Sequence, residues 1–210
     1  MPPAAFVYAE LHGPDPVKSS LGQPDPETIL QGLGALDVTL LSDGPNSTSA
    51  GFYTFADASE ATLFATKTLS DKARSLGVTY VSRLFDATSV RDASLEMNSP
   101  HFSGVLAKPV KAFVYAEMQV SVPFENAPWR DRNPVLKGQP GLLAKTWLSG
   151  LRTNTLGGFY AFDSVETAWA YALDVVPKTA IALQAAPYTR VFNASQSEEA
   201  NRYLNSPYFY

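Results

Sequence analysis

The hexapeptide Ala5-Phe6-Val7-Tyr8-Ala9-Glu10 recurs unchanged at positions 112–117, a shift of 107 residues along the chain. The same shift aligns Gly51-Phe52-Tyr53 with Gly158-Phe159-Tyr160. It also aligns Asn98-Ser99-Pro100 with Asn205-Ser206-Pro207. Roughly 30% of the aligned positions are identical without a gap, and several separate segments agree on one register. The chain is therefore a tandem duplication of a unit of roughly 100 residues.

Both copies predict the same order of secondary structure, βαββαβ. Residues 5–12 alternate aromatic or polar side chains with aliphatic ones, which is the period of a strand. The longest helices are expected at about 58–76 and 164–176. The other expected strands are 36–41, 51–55 and 78–85 in the first copy and 142–148, 158–162 and 188–192 in the second. This order predicts the ferredoxin-like fold, an α+β unit with strand order 4-1-3-2 and helices on one face of its sheet.

Short motifs predict where the helices begin and end. Asp57 and Asp163 each stand three residues before a glutamate, which is the spacing of a capping box. Asn133-Pro134 combines a capping residue with proline at the first helical position. Pro177 is expected to end or kink the second long helix.

A sheet with helices on one face leaves its other apolar face to be covered. Two such units can cover each other by packing sheet against sheet. We therefore expect two tandem ferredoxin-like units that form a pseudo-dimeric α+β barrel, with residues 1–102 as the first unit, 103–111 as a linker and 112–210 as the second. The expected assembly is a monomer with this internal pseudo-dimer, or a homodimer of it.

Composition excludes several classes of function. The net charge of −4 and the pI near 5.2 do not favour nucleic acid as a partner. No apolar run reaches the roughly 18 residues of a membrane span, so we expect no membrane partner and a cytoplasmic location. Cysteine is absent and only two histidines are present, which argues against a metal site.

Three segments of the second copy carry a resemblance to a known family. They are Gln139-Pro140-Gly141-Leu142-Leu143-Ala144-Lys145-Thr146-Trp147, Gly157-Gly158-Phe159-Tyr160-Ala161-Phe162 and Ala168-Trp169-Ala170-Tyr171. This pattern resembles the YdhR-type monooxygenases of the dimeric α+β-barrel superfamily. The resemblance spans 112–209 well and 5–102 more faintly, since the first copy has Gly34-Ala35-Leu36 and Ala50-Gly51 at the matching places. It implies an apolar pocket between each sheet and its helices, and neither an organic cofactor nor a metal.

Residues unique to one copy are the better functional candidates. The segment Val122–Arg132, expected to be a loop over the second pocket, carries Trp129, Arg130 and Arg132. These arginines could equally form a solvated surface patch with Asp131. The other candidates are aromatic residues that either line this pocket or pack in the core, namely Trp147, Tyr160, Trp169 and Tyr171.

The first copy offers one candidate general base. His12 stands at the end of the first strand, on the face that also carries Glu10 and Tyr8, and Tyr8 is a candidate for substrate binding. A histidine at a strand end without a catalytic role is the alternative. Glu10 with Arg83, and Glu117 with Arg190, are expected to form structural ion pairs across neighbouring strands.

Three functions remain open for a pocket that binds a hydrophobic small molecule. The first is a cofactor-independent monooxygenase acting on an aromatic or polyketide-like compound, with arginine, tyrosine and tryptophan side chains stabilising the substrate anion. The second is a polyketide cyclase or isomerase in which His12 or a tyrosine acts as acid or base. The third is a non-catalytic ligand-binding or stress-response barrel.

Overall fold

The computed structural model describes residues 1–13, 26–43 and 48–209. Each copy contains a four-stranded antiparallel sheet flanked by helices, which confirms two tandem ferredoxin-like α+β units. The elements of the first copy are β1 (Ala5–His12), α1 (Pro26–Leu33), β2 (Asp37–Asp43), β3 (Thr48–Phe55), α2 (Ala58–Leu63), a π-helical turn (Phe64–Thr68), α3 (Leu69–Leu76), β4 (Thr79–Asp86) and α4 (Arg91–Glu96). Those of the second are β5 (Ala112–Gln119), α5 (Trp129–Lys137), β6 (Leu142–Ser149), β7 (Thr155–Phe162), α6 (Val165–Ala170), a π-helical turn (Tyr171–Val175), α7 (Val176–Ala182), β8 (Pro187–Asn193) and α8 (Glu198–Tyr203).

The sheets run β2-β3-β1-β4 and β6-β7-β5-β8, so the predicted order 4-1-3-2 is confirmed in both copies. Strand alternation sends one set of β1 side chains toward the helices, where Ala5, Val7 and Ala9 pack with Phe64 and Leu69. On the other face of β1, Phe6, Tyr8 and Glu10 are also fully buried. Packing of one sheet against the other, and hence the barrel, stays a prediction.

The compact units do not follow the sequence repeats at their tails. One unit comprises Met1–Phe85 and Ala194–Tyr210, and the other comprises Asp86–Asn193. The helical tail that follows β4 therefore packs with the second sheet, and the tail that follows β8 packs with the first. The proposed boundaries 1–102, 103–111 and 112–210 describe the duplication in sequence, whereas packing exchanges the tails.

The exchanged tails bond equivalent positions of the two edge strands. Thr39 Oγ1 on β2 lies 2.8 Å from Ser206 Oγ, and Thr146 Oγ1 on β6 lies 2.7 Å from Ser99 Oγ. The shift of 107 residues relates these two pairs, so each tail makes the same contact on the other copy's edge strand. A helical tail on an edge strand occupies backbone groups that would otherwise be open to pairing with another chain.

Two of the predicted helix starts are wrong. Ser164 rather than Asp163 caps α6, since its side chain accepts from Thr167 N, while Asp163 forms an ion pair with Lys108 at 2.6 Å. The helix α5 begins at Trp129 and contains Pro134, so much of the predicted loop 122–132 is helical. Its predicted cap, Asn133, is buried and bonds other segments of the chain.

Pro177 does not end the second long helix, which continues to Ala182. Pro177 lies in the first turn after the π-helical segment, where the hydrogen-bond register has just changed. The first copy has the same π-helical turn at Phe64–Thr68 and Ser70 at the position of Pro177, so the proline does not cause it. The predicted cap at Asp57 is confirmed, since its carboxylate accepts from Ser59 N and Glu60 N.

Among the described residues, none of the helices has the length and apolar character that a membrane crossing requires. The same part of the chain contains no group of three histidine, aspartate or glutamate side chains placed to hold a metal ion.

Candidate functional site

A cavity of about 400 Å³ lies within the unit Asp86–Asn193, between the helix-facing side of its sheet and the helices that cover it. This volume is within the range of small-molecule sites, roughly 300–1,000 Å³. Strands β5, β6 and β7 form the floor, and α5, the π-helical turn and α7 form the walls. The side chains that line the cavity include Trp129, Arg132, Val135, Lys145, Trp147, Tyr160, Tyr171, Lys178, Thr179 and Leu183.

Two hydrogen bonds and an aromatic contact hold Trp147 in the wall of the cavity. Its backbone N–H donates to Ser94 Oγ at 2.9 Å, and its indole Nε1 donates to Asn133 Oδ1 at 2.9 Å. Asn133 in turn donates to Ala93 O at 3.1 Å. The Phe124 ring packs edge-on against the indole with centroids 5.8 Å apart. A buried indole held on both sides presents a fixed aromatic surface to a ligand.

Lys145 is the unexpected member of the site. Its side chain lies on β6, on the same face as Trp147, and the residue is only 2% exposed. The Nζ atom lies 2.7 Å from the centroid of the Trp147 ring and 5.0 Å from that of Tyr160. Burial lowers the pKa of this amine well below 10.5, and the Arg132 guanidinium lowers it further. A lysine in such surroundings gives up its proton far more readily than one in water.

The register of the sheets shows that the fold does not require this lysine. Lys145 pairs with Tyr160 in β7, and the equivalent pair in the first copy is Val38 with Tyr53. Val38 is buried there as an ordinary core residue. Gly158 makes room for the lysine, because a Cβ at this position would lie 2.6 Å from Lys145 Cε and 2.7 Å from the Tyr160 ring.

Tyr160 and Tyr171 form a buried pair on the cavity wall. Their ring centroids are 4.9 Å apart. Burial raises the pKa of Tyr160 to about 12 and raises that of Tyr171 well above 10. Both phenols are therefore neutral at physiological pH and can donate or accept hydrogen bonds as hydroxyls.

Among the residues that the structure describes, the charged side chains lining the cavity are all basic, namely Arg132, Lys145 and Lys178. Arg132 Nη2 donates to Thr179 Oγ1 at 3.4 Å, which ties α5 to α7. Val135 and Leu183 are 55% and 41% exposed, so the cavity opens to solvent on their side. An apolar chamber with basic groups suits a flat molecule that carries or develops a negative charge.

The structure brings together five of the residues selected from sequence: Trp129, Arg132, Trp147, Tyr160 and Tyr171. Arg130 lies outside the lining, and its guanidinium stacks on the Trp129 ring at 4.3 Å. Trp169 is 48% exposed and does not line the cavity either. The lining thus separates the two arginines, which sequence reasoning had grouped.

His12 and Tyr8 lie in the other unit, on the sheet face opposite its helices. His12 Nε2 lies 3.1 Å from Glu10 Oε2 and its Nδ1 lies 3.3 Å from Thr48 Oγ1, while Tyr8 donates to Glu10 at 2.6 Å. In the second copy Gln119 replaces His12 and donates to Thr155 at 2.7 Å, which repeats the contact with an amide. Glutamine cannot act as a base. The feature that the two copies share at this position is therefore the cross-strand hydrogen bond, not a basic group.

The expected ion pairs between strands stay a prediction. The register places Arg190 opposite Tyr115 and Tyr188 opposite Glu117, so Arg190 and Glu117 are diagonal neighbours on one face. Glu117 accepts a hydrogen bond from Tyr115 at 2.5 Å, as Glu10 does from Tyr8.

Sequence reasoning missed Lys145 and Asn133 as members of the site. The signal for Lys145 was present, since a lysine stands within the apolar strand Leu142–Ser149 where the aligned first copy has Val38. Asn133 could not be recognised in this way, because its partners Ala93 and Trp147 are distant in sequence.

Comparison with known proteins finds similarity in structure alone. No family model matches the chain. No curated protein matches it either. Among solved structures, a ferredoxin-fold protein from Listeria monocytogenes related to antibiotic biosynthesis monooxygenases is 10% identical, covers 91% of this chain and 94% of its own, and has a TM-score of 0.49. A monooxygenase-like protein from Listeria innocua has the same identity and coverage and a TM-score of 0.48. The strand order of the two sheets, rather than these likenesses, establishes the ferredoxin-like fold of this chain.

Proposed function

We propose that the chain is a cofactor-independent monooxygenase acting on a flat aromatic or polyketide-like small molecule with an acidic hydroxyl or C–H group. One observation carries this proposal: the cavity of about 400 Å³ has aromatic walls, and every charged side chain that lines it in the described part of the chain is basic. The YdhR-type resemblance of the second copy supports the same class of reaction.

The size of the cavity favours a fused-ring substrate. An engineered apolar cavity of about 150 Å³ holds a single benzene ring. The cavity of about 400 Å³ is therefore suited to two or three fused rings. Trp129 and Trp147 provide the large flat surfaces that such rings contact.

The basic groups support formation of a substrate anion. The neutral Lys145 amine accepts a proton from the substrate hydroxyl or activated methylene, and Arg132 with the resulting ammonium stabilises the anion. The electron-rich anion then reacts with O₂, so that a ring CH₂ becomes C=O and the second oxygen atom leaves as water. The substrate supplies the electrons for this step, and the two tyrosine hydroxyls can donate hydrogen bonds to the oxygen anion.

Anthrone, a three-ring ketone with an acidic CH₂ group, is a suitable probe. We expect aerobic protein to convert it to anthraquinone faster than buffer alone, with one oxygen atom from ¹⁸O₂ in the product. Lys145→Met and Trp147→Ala should each reduce the rate at least about tenfold, which corresponds to about 1.4 kcal/mol in the barrier. Trp169→Ala is the matched control, since this tryptophan lies outside the cavity.

Equal rates for all variants, or a product without ¹⁸O, would contradict the proposal. Tight binding of anthrone without oxygen uptake would instead indicate a ligand-binding protein.

A cyclase or isomerase is the second candidate. One cavity holds both a readily deprotonated amine, Lys145, and a neutral phenol, Tyr171. The amine can act as the base and the phenol as the acid of such a reaction. Exchange of substrate hydrogen for deuterium from solvent under anaerobic conditions, without net oxidation, would support this candidate over the monooxygenase.

A further inference from the structure

We propose that the cavity of the second copy is a covalent carbonyl-binding site, in which Lys145 Nζ forms an imine with an aromatic aldehyde or ketone. This activity is distinct from oxygen transfer and needs neither O₂ nor deprotonation of a substrate.

The position of Lys145 argues for a role in chemistry rather than in folding. Its register equivalent Val38 fills the same place in the first copy with an apolar side chain. Burial of an amine costs free energy that a valine at this place does not require. The lysine is therefore best explained by what its amine does inside the cavity.

The surroundings of Lys145 keep its nitrogen available for reaction. Among the described residues, no ion pair or hydrogen bond of the amine is found, and Nζ lies over the rings of Trp147 and Tyr160. The positive charge of Arg132 opposes protonation, and the lowered pKa of Lys145 agrees with this. An amine that is free of ion pairs and desolvated in an apolar pocket is an activated nucleophile.

The cavity also supplies what the later steps of imine formation need. The amine attacks the carbonyl carbon, the carbonyl oxygen takes up a proton to give a carbinolamine, and the hydroxyl group then leaves as water when the C=N bond forms. Tyr160 lies with its ring centroid 5.0 Å from Lys145 Nζ, and the Tyr171 ring lies 4.9 Å from that of Tyr160. Both are neutral phenols that can donate a proton to that hydroxyl group. The overall reaction joins carbonyl and amine with loss of one water, without any oxidant or reductant.

The probe 2-hydroxy-1-naphthaldehyde tests the proposal, because its two rings suit the cavity. The full-length protein is incubated anaerobically with this aldehyde at neutral pH, and sodium cyanoborohydride converts any imine to a stable secondary amine. Peptide mass spectrometry then locates the label. An ordinary lysine is only about a thousandth unprotonated near pH 7.4, so we expect Lys145 to be labelled at least about tenfold faster than exposed lysines such as Lys67.

Two variants and a competition make the outcome decisive. Lys145→Met should lose the fast label, whereas Lys137→Met should keep it, since Lys137 is exposed, pairs with Glu96 and lies outside the cavity lining. Saturating 2-naphthol, which has the same rings without the aldehyde, should protect Lys145 in the unmodified protein, so the result does not depend on how well a variant folds.

Label spread evenly over surface lysines, or retained in full by Lys145→Met, would overturn the proposal. Because the reaction is run without O₂, its failure leaves the monooxygenase proposal standing. Loss of oxygen transfer would likewise leave the imine site standing.

Discussion

The indole Nε1 of Trp147 on β6 donates a 2.9 Å hydrogen bond to Oδ1 of Asn133 on α5, and both residues are buried. Asn133 uses its other amide atom, Nδ2, to donate to Ala93 O, and the adjacent Ser94 Oγ accepts from Trp147 N of β6. One amide thus joins the exchanged tail, α5 and the aromatic wall of the cavity. Its geometry fixes the orientation of Trp147, on which binding of a flat ligand depends.

Asn133→Ala should lower the free energy of unfolding by roughly 1–3 kcal/mol, because it leaves two buried polar groups, Trp147 Nε1–H and Ala93 C=O, without their partner. Urea denaturation of Asn133→Ala, Trp147→Phe and the double variant gives a double-mutant cycle. The cycle measures the interaction free energy between the two side chains. We expect a coupling energy above about 0.5 kcal/mol. Strict additivity of the two substitutions would show that the hydrogen bond does not contribute to stability.

The duplication made the fold predictable from sequence, because strand alternation and helix periodicity are local patterns that appear twice. Helix starts were less predictable where two capping residues adjoin. At Asp163 and Ser164 the choice depends on Lys108, a residue 55 positions away, which occupies the aspartate carboxylate. The exchange of tails was not predictable, since periodicity shows what an element is and not which sheet edge it covers.

The candidate site was predictable to the extent that its members are unusual residue types of one copy. Trp129, Arg132 and Trp147 were found in this way. Arg130 and Trp169 have the same signal in the sequence, yet the helical phase turns them away from the cavity. Alignment of Lys145 with Val38 would have identified the lysine, because a charge at a core position of one copy only is a functional signal.

Asn201→Ala should destabilise the first sheet's unit through its edge strand. Asn201 is fully buried, accepts from Leu40 N at 2.7 Å and donates to Leu40 O at 2.9 Å. Loss of both bonds leaves the Leu40 N–H without its partner, while Leu40 O keeps its bond from Ser197 Oγ. We expect a loss of roughly 1–3 kcal/mol and a greater tendency to aggregate. Thermal unfolding and light scattering measure these effects. Arg202→Ala, an exposed change in the same helix, should stay within about 1 kcal/mol of the unmodified protein.

His12→Gln should leave stability and turnover nearly unchanged. Gln119 occupies the equivalent position of the second copy and makes the same cross-strand contact to Thr155 that His12 makes to Thr48. A change within about 0.5 kcal/mol in unfolding and less than about twofold in rate is expected. If the rate instead fell by a hundredfold or more at unchanged stability, about 2.7 kcal/mol in the barrier, His12 would be the general base and the first copy the working site.

Lys145→Met should increase stability at neutral pH, and the increase should shrink as the pH rises. The pKa of Lys145 in the folded protein lies well below 10.5, its ordinary value in the unfolded chain, so between these two values the unfolded chain binds more protons than the folded one. The stability of the unmodified protein therefore rises with pH in this window, by up to about 1.4 kcal/mol per pH unit. Below the window the burial penalty is present in full, and above 10.5 it is gone.

Arg132, Lys178, Tyr160 and Tyr171 also face the cavity, but they are present in both proteins, so the difference between the two isolates Lys145. Chemical denaturation at several pH values from neutral to about 10 measures this difference, which should exceed about 1.4 kcal/mol at neutral pH, the equivalent of one pKa unit. A difference that stays constant over this range would show that Lys145 keeps an ordinary pKa, and would remove the support that its lowered pKa gives to both the base and the imine proposals.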